Sequence, residues 1–313
     1  MAEGAGRPAF ISSSDCGRHD TGWGHYEHVG RLRAITRALR EVPELFHSVE
    51  HLEGRHATLE ELALAHDESY VGSIEAISAA GGGRLDSDTV ASEGTWAAAT
   101  AAAGCVLDGV DYAVSGVHAR SFCAVRPPGH HALRDRAMGF CIFGSIAAAA
   151  HYARGRHGLS RVLIVDWDVH HGNGTQALVE QEPDIHFVSM HRWPWYPGTG
   201  AADDRGPRKS VWNVPMPPAL AASEYLDALN RAIDSATKSF VPDIVLVSSG
   251  FDSLAGDPIG GFTLEMDDVE TLTRSLVARA ESWCGGRLVS ALEGGYLPER
   301  LGEGAVRHLA ALA

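Results

Sequence analysis

Apolar and polar positions along the chain fall into two alternating regimes. Short, nearly continuous apolar runs occupy Pro8–Ile11, Ser121–Val125, Arg161–Asp166, Ile185–Met190, Asp243–Ser249 and Arg287–Leu292. Three of them, RVLIVD, DIVLVSS and RLVSAL, are almost wholly apolar before a polar end. Runs this short, apolar on both parities, predict strands buried on both faces of a parallel sheet. Helical periodicity fills the intervals His28–Arg40, Leu59–Ala79, Thr95–Asp108, Cys141–Arg154, Ser223–Phe240, Glu265–Cys284 and Glu303–Leu312. Alternating strands and helices predict an α/β fold with crossover connections. No internal repeat or low-complexity linker interrupts the pattern. Only the stretches around Gly198–Lys209 and Pro215–Ala222 read as long irregular loops. The expectation is one domain spanning residues 1–313.

Composition narrows the function classes. Of 313 residues, 45 % are hydrophobic, which is enough for a full core. The formal net charge of −14 argues against direct nucleic-acid binding, which needs basic patches, and suits cationic substrates. Five cysteines with no CxxC pair suggest neither a disulfide framework nor a cysteine zinc cluster, so a reducing, cytoplasmic setting is expected. The N-terminal MAEGAGRPAF lacks a basic segment followed by an apolar one, so no signal peptide is expected. No uninterrupted apolar run reaches the ~18 residues that span a bilayer, and no membrane association is expected. The run after Cys141 comes nearest, and its alanines and the following HYARGRHG read as a buried helix.

Four segments share one layout, an apolar strand followed at once by polar residues. They are AVRPPGHH (Ala124–His131), IVDWDVHHGNG (Ile164–Gly174), VSSGFDS (Val247–Ser253) and ALEGGY (Ala291–Tyr296). In open α/β sheets, sites form outside the carboxyl ends of strands. Convergence of four such ends would gather His130, His131, Asp166, Asp168, His170, Asp252 and Tyr296.

Asp168 and His170 stand two apart, so in an extended segment both point the same way and can reach one ion. Asp252 from another strand end would complete an Asp2His set. Three protein ligands plus water is the open arrangement of catalytic zinc, although oxygen and nitrogen ligands also suit iron or manganese. Alone, a DxH pair is more often a capped turn beside an ordinary histidine, and the chain has 17 histidines. The tandem His130–His131 suggests acid–base chemistry near neutral pH. A histidine held by a carboxylate is biased towards its cation, and one held by an amide less so. Pairing of His130 with Asp166 and of His131 with Asn173 would make His131 the better neutral base. Glycines before Tyr296 let its loop approach the site, where a phenol could donate to an oxyanion.

In this order, RPPGHHA, AMGFC, DWDVHHGNGT, YPGTG, SSGFDSLAGDP and EGGY resemble the zinc-dependent histone deacetylase family from about Arg126 to Tyr296. The earlier DTGWGHYEHVGRLRAI is similar to the family's N-terminal loop and helix. HHGNG together with MGFC looks closer to class II and bacterial members, including acetylpolyamine amidohydrolases. The resemblance implies an arginase/deacetylase fold, with a parallel eight-stranded sheet flanked by helices. It implies one catalytic zinc on Asp168, His170 and Asp252. His130 and His131 become the tandem pair, Asp166 and Asn173 their partners, and Tyr296 the carbonyl-polarising group. Gly139, Phe140, Tyr196, Ile259 and Gly295 would line the substrate site, with Phe140 and Tyr196 as its aromatic walls. A structural potassium would lie near Asp166, Asp168, His170, Ser189 and Met190. The implied partner is an acylated lysine peptide or protein, or an acylated polyamine.

Some residues depart from the family's pattern. Tyr196 stands where phenylalanine is usual, Gly144–Ser145 where asparagine is frequent, and HYE where HPE is commoner. Some polyamine deacetylases place an acidic gatekeeper just after the GDP motif. Here that position is Ile259, which leans towards acyl-lysine, although Asp86 or Asp88 could instead read a distant ammonium. An arginase-like ureohydrolase needs two manganese ions and more carboxylate ligands, and RPPGHH and EGGY point away from it. A non-catalytic binder of acyl groups is disfavoured by the complete set of ligands, bases and tyrosine. Acyl length, the physiological amine and homo-oligomerisation are left open.

Overall fold

The computed structural model describes residues 7–313. Residues 1–6, within the segment read for a signal peptide, lie outside the described part. In chain order the elements are β1 (Ala9–Ser12), α1 (Gly30–Arg40), α2 (Pro43–Ser48), β2 (Glu50–Glu53), α3 (Leu59–Leu62), α4 (Glu68–Ala79), β3 (Gly82–Arg84) and β4 (Val90–Ser92). There follow α5 (Thr95–Ser115), β5 (Arg120–Cys123), α6 (Ser145–His157), β6 (Val162–Asp166), α7 (Asn173–Val179), β7 (Ile185–Arg192) and β8 (Val211–Met216). The chain closes with α8 (Ala222–Thr237), β9 (Ile244–Ser249), α9 (Met266–Cys284), β10 (Leu288–Leu292) and α10 (Pro298–Leu312).

Eight strands form one parallel sheet in the order β2-β1-β5-β10-β9-β6-β7-β8. The chain leaves a gap between β5 and β6 that β9 and β10 later fill. The four strands whose ends carry the conspicuous polar residues, β5, β10, β9 and β6, are therefore contiguous at the sheet's centre. Their side chains alternate between two apolar layers. Val162 and Ile164 of β6 pack with the α5–α6 layer, while Leu163 and Val165 pack with the layer of α1, α8, α9 and α10. Both parities are apolar because both faces are covered. Trimming one such residue, Leu163 for example, to alanine costs roughly 2–5 kcal/mol.

The structure corrects the sequence reading at several boundaries. Helix 59–79 is two helices. The Thr58–Glu61 capping box starts α3, and Asp67 then donates its backbone N–H to the Arg134 carbonyl at 2.9 Å instead of continuing the helix. Helix α5 runs on to Ser115 and stops at Gly116, whose φ of 76° suits a glycine cap. Among the described residues it, and not the run after Cys141, is the helix long and apolar enough to cross a membrane, but 72 % of its most apolar window is buried in the core. Strands β2 and β8 and helices α2 and α7 were not predicted, nor was the β3–β4 hairpin.

Candidate active site

Three side chains at the ends of two central strands point at one spot. Asp168 and His170 follow β6, Asp252 follows β9, and their ligand atoms lie within 4.8 Å of one another. His170 turns Nδ1 inward, 3.0 Å from Asp168 Oδ1 and 3.2 Å from Asp252 Oδ2. Backbone donors fix both carboxylates. Asp168 accepts from the N–H groups of His170 (2.9 Å) and Gly294 (2.8 Å), and Asp252 Oδ1 accepts from Val169 at 3.0 Å. Asp252 Oδ2 is buried without a hydrogen-bond partner. Burial and then the neighbouring Asp168 charge push Asp252 up to about 7. A buried carboxylate oxygen left unpaired in such a field costs free energy unless a cation joins it. The donor set, two carboxylates and an imidazole, fits zinc.

His130 and His131 follow β5 and pack ring against ring at 4.0 Å. His130 donates from Nδ1 to Asp166 Oδ2 at 3.0 Å, and His131 donates from Nδ1 to Asn173 Oδ1 at 2.7 Å. Their surroundings drive them apart. Burial opposes the charged form of His130, but the charges of Asp168 and Asp166 and the Asp166 bond overcome it, holding its pKa well above the ordinary value. Burial, with the charges of His130 and His170, holds His131 well below. Because Nδ1 of His131 is the donor, its free lone pair is on Nε2.

A pocket of about 520 Å³ opens onto this centre. His131, His170 and Tyr296 stand in its wall, with Gly139, Phe140 and Tyr196 beside them and Ile259 nearer Trp195. Phe140 has φ 69°, a strained position for a side-chain residue. Its N–H donates to Thr89 Oγ1 at 2.9 Å, and the His25 ring meets it edge-on at 4.7 Å. Tyr196 faces His131 edge-on at 5.1 Å. Burial raises the Tyr296 phenol well above its ordinary value, so it keeps its proton and remains a donor. Its backbone N–H is held by Asp257 Oδ2 at 2.7 Å.

Gly295 departs from the expectation. It does not line the pocket; at φ 120° its carbonyl accepts from Arg31 Nε at 2.7 Å, behind Tyr296. Asp88 and Arg84 reach the pocket rim, and Asp86 does not. Ser189 and Met190 lie on β7, where Ser189 pairs with Asp166 of β6.

Sequence reasoning missed Glu27, Arg31, Arg126 and Glu293. Glu27 is wholly buried between Arg126 (2.7 and 2.8 Å) and Arg31 (3.2 Å). Glu293 caps the histidine segment by accepting from the N–H groups of Gly129 (2.7 Å) and His130 (3.1 Å). Glu27 and Arg31 stand four apart, which is a local ion-pair spacing, but nothing local shows that Arg126 joins Glu27 or that Arg31 reaches Gly295 and Glu293. Glu293 stood in the noted EGGY, without a role.

The model of the histone deacetylase domain matches residues 25–312. The chain belongs to the histone deacetylase family. A histone deacetylase-like amidohydrolase of Pseudomonas aeruginosa is 37 % identical over 278 residues, 87 % of this chain and 73 % of that protein. An uncharacterised Synechocystis protein is 39 % identical, over 92 % of this chain and 93 % of its own length. Human histone deacetylase 9 is 37 % identical over 90 % of this chain, which spans only 31 % of that longer protein. The crystal structure of the HDA15 HD domain superposes with a TM-score of 0.92 at 33 % identity, covering 98 % of this chain and 88 % of that one. The eight-stranded parallel sheet flanked by helices is thus the arginase/deacetylase fold, and this deacetylase is a hydrolase of amides.

Proposed function

We propose that the deacetylase hydrolyses N-acetyl-lysine in peptides or proteins, and that residues 1–313 form one catalytic domain. The observation that carries this reading is that His131, His170 and Tyr296 line one pocket, while His170 also lies 3.2 Å from Asp252 Oδ2, which has no hydrogen-bond partner. Asp168, His170 and Asp252 would hold one zinc ion, which when bound polarises the amide carbonyl and acidifies water. The aromatic faces of Phe140 and Tyr196 suit the apolar lysine stem. His131 Nε2 accepts the proton of the attacking water. The Tyr296 hydroxyl donates to the oxygen that turns negative as the carbonyl carbon becomes tetrahedral. The proton held on His131 then goes to the departing amine nitrogen, leaving acetate and a free amine. His130 keeps its proton beside Asp166 and lends positive charge to the site. Two titratable groups pushed in opposite directions is the pattern expected of a divided acid–base role.

A potassium ion near Asp166, Asp168, His170, Ser189 and Met190 is part of the proposal, supported by the β6–β7 register that sets Asp166 beside Ser189. Five buried thiols suit a reducing cytoplasm. The Asp88 carboxylate at the rim favours a second reading, an acetylpolyamine substrate whose distant ammonium it would meet.

Initial rates on an acetyl-lysine peptide and on acetylated putrescine or spermidine, with zinc-loaded protein, separate the readings. Faster peptide turnover supports the first and preference for the polyamine supports the second. Zinc-loaded protein that turns over neither sinks both.

A further inference from the structure

One residue outside the catalytic set contacts both Trp195 and the loop that carries Ile259, two parts of the pocket's mouth. Arg192 closes β7, and its backbone N–H donates to the carbonyl of Val169, between two of the proposed metal ligands, at 2.8 Å. Its side chain runs the other way. The guanidinium carbon lies over the Trp195 ring, 3.5 Å from its centroid, and Nη1 donates to the Gly260 carbonyl at 2.7 Å. Trp195 in turn donates from Nε1 to the Ile259 carbonyl at 3.1 Å. Gly261 has φ 127°, a backbone conformation that favours glycine, and a Cβ there would fall 2.5 Å from Arg192 Nη1. The three contacts close a ring of guanidinium, indole and loop 257–261.

The same loop reaches the chemistry. Asp257 accepts from the Ile259 N–H at 3.0 Å through one oxygen and from the Tyr296 N–H at 2.7 Å through the other. Trp195, Tyr196 and Ile259 all line the pocket. Arg192 has no carboxylate partner among the ion pairs of the described residues, and its buried Nε has no hydrogen-bond partner. Its charge is met by the indole face, a carbonyl and, since the residue is half-buried, solvent, so its firm contacts are those to Trp195 and the loop.

We infer that Arg192 is a positioning residue for substrate recognition. It acts through Trp195 and loop 257–261 to hold the rim that contacts the part of the substrate beyond the lysine stem. This inference rests on the acyl-lysine reading. A peptide that covers the rim should depend on the clamp, and a minimal N-acetyl amine that ends inside the pocket should not. Lysine at this position keeps the charge but loses the planar stack and the fork of donors.

The test compares wild type, Arg192→Lys, Arg192→Ala and Trp195→Phe in the zinc-loaded enzyme. Rates are measured on an acetyl-lysine peptide and on an acetyl-lysine derivative lacking flanking residues. Arg192→Ala should raise KM for the peptide about tenfold, with kcat within about twofold and the short substrate little affected. Arg192→Lys should fall between. Independently of turnover, Arg192→Ala should change the indole emission of wild type and speed hydrogen exchange at Ile259–Gly261, with no emission change in a Trp195→Phe background. Unchanged emission and exchange, or equal losses on both substrates, would overturn the positioning role. A wild type inactive on both substrates would instead sink the acyl-lysine reading, while the emission and exchange results would still decide whether the clamp exists. If Arg192→Ala does not fold, Arg192→Lys and Trp195→Phe carry the same comparison.

Discussion

Arg31 donates from Nε to the carbonyl of Gly295 across 264 positions of sequence, and this bond ties the first helix to the loop that carries Tyr296. The same guanidinium bonds the Glu293 carbonyl and lies 4.9 Å from the Tyr296 ring centroid. Glu27 bridges it and Arg126, with all three side chains removed from water. Burial alone would raise the Glu27 carboxyl, but the Arg126 charge and bond, then Arg31, hold it down at about 2.

Replacing Arg31 by methionine keeps the stem but removes its hydrogen bonds to Gly295 and Glu293. The expected result is a loss of about 3 kcal/mol in stability, as for one partner removed from a buried ion cluster, and a fall in kcat larger than the change in KM. Urea denaturation and steady-state rates check the two parts separately. An enzyme with normal kcat despite reduced stability would mean that Arg31 supports the fold without placing Tyr296.

Tyr296→Phe removes one hydroxyl and little volume. We expect kcat to fall about 10²–10³-fold, with stability within about 1 kcal/mol and zinc content unchanged. Metal analysis beside kinetics checks this. A fall below tenfold would assign oxyanion stabilisation elsewhere.

The core of the sheet was legible because both faces of β6, β9 and β10 are covered, leaving almost no polar residue inside those runs. Edge strands carry no such mark. Glu50–Glu53 reads EHLE with alternate residues exposed, and Val211–Met216 contains Pro215, which sits on an edge where a missing N–H costs little. The gathering of Asp168, His170 and Asp252, and of the two histidines beside them, was legible because each follows a strand end and sequence spacing sets its direction. Arg31, Glu27 and Arg192 were not. Each looks like an ordinary charged residue until the fold brings Gly295, Arg126 or Gly260 to it.

Asp252→Asn should remove the metal centre without a steric change. Zinc added to metal-free wild type should raise Tm, because an ion that binds only the folded state stabilises it by mass action and relieves the crowded carboxylates. The Asn variant should lose most of that shift and hold well under one zinc per chain. A full shift with full occupancy would show that Asp252 is not a ligand.

Acid sensitivity should come from neutral histidines locked in the core. His308 is wholly buried between Thr273 Oγ1 (2.8 Å) and Ser290 Oγ (2.7 Å), and the Phe122 ring meets it edge-on at 5.2 Å. Burial pushes its pKa down to about 3. In the unfolded chain the value is about 6.5, so between those pH values the unfolded state binds a proton that the folded state refuses. The contribution of His308 is therefore intact above about pH 6.5 and is lost as pH falls, by about 1.4 kcal/mol per pH unit. His19, His66 and His191, held by burial near 4, act in the same direction. Glu27, at about 2, contributes only below the ordinary carboxylate range and takes no part between pH 6.5 and about 4.5, where the loss from the histidines is opposed by Asp252 and Glu293, both pushed up by burial to about 7. Urea unfolding of metal-free wild type and His308→Asn at pH 7.5, 6 and 5 checks this. The variant should be less stable at pH 7.5 but lose stability more slowly on acidification, with a slope smaller by about one proton. Parallel curves would mean that His308 already carries its proton in the folded protein.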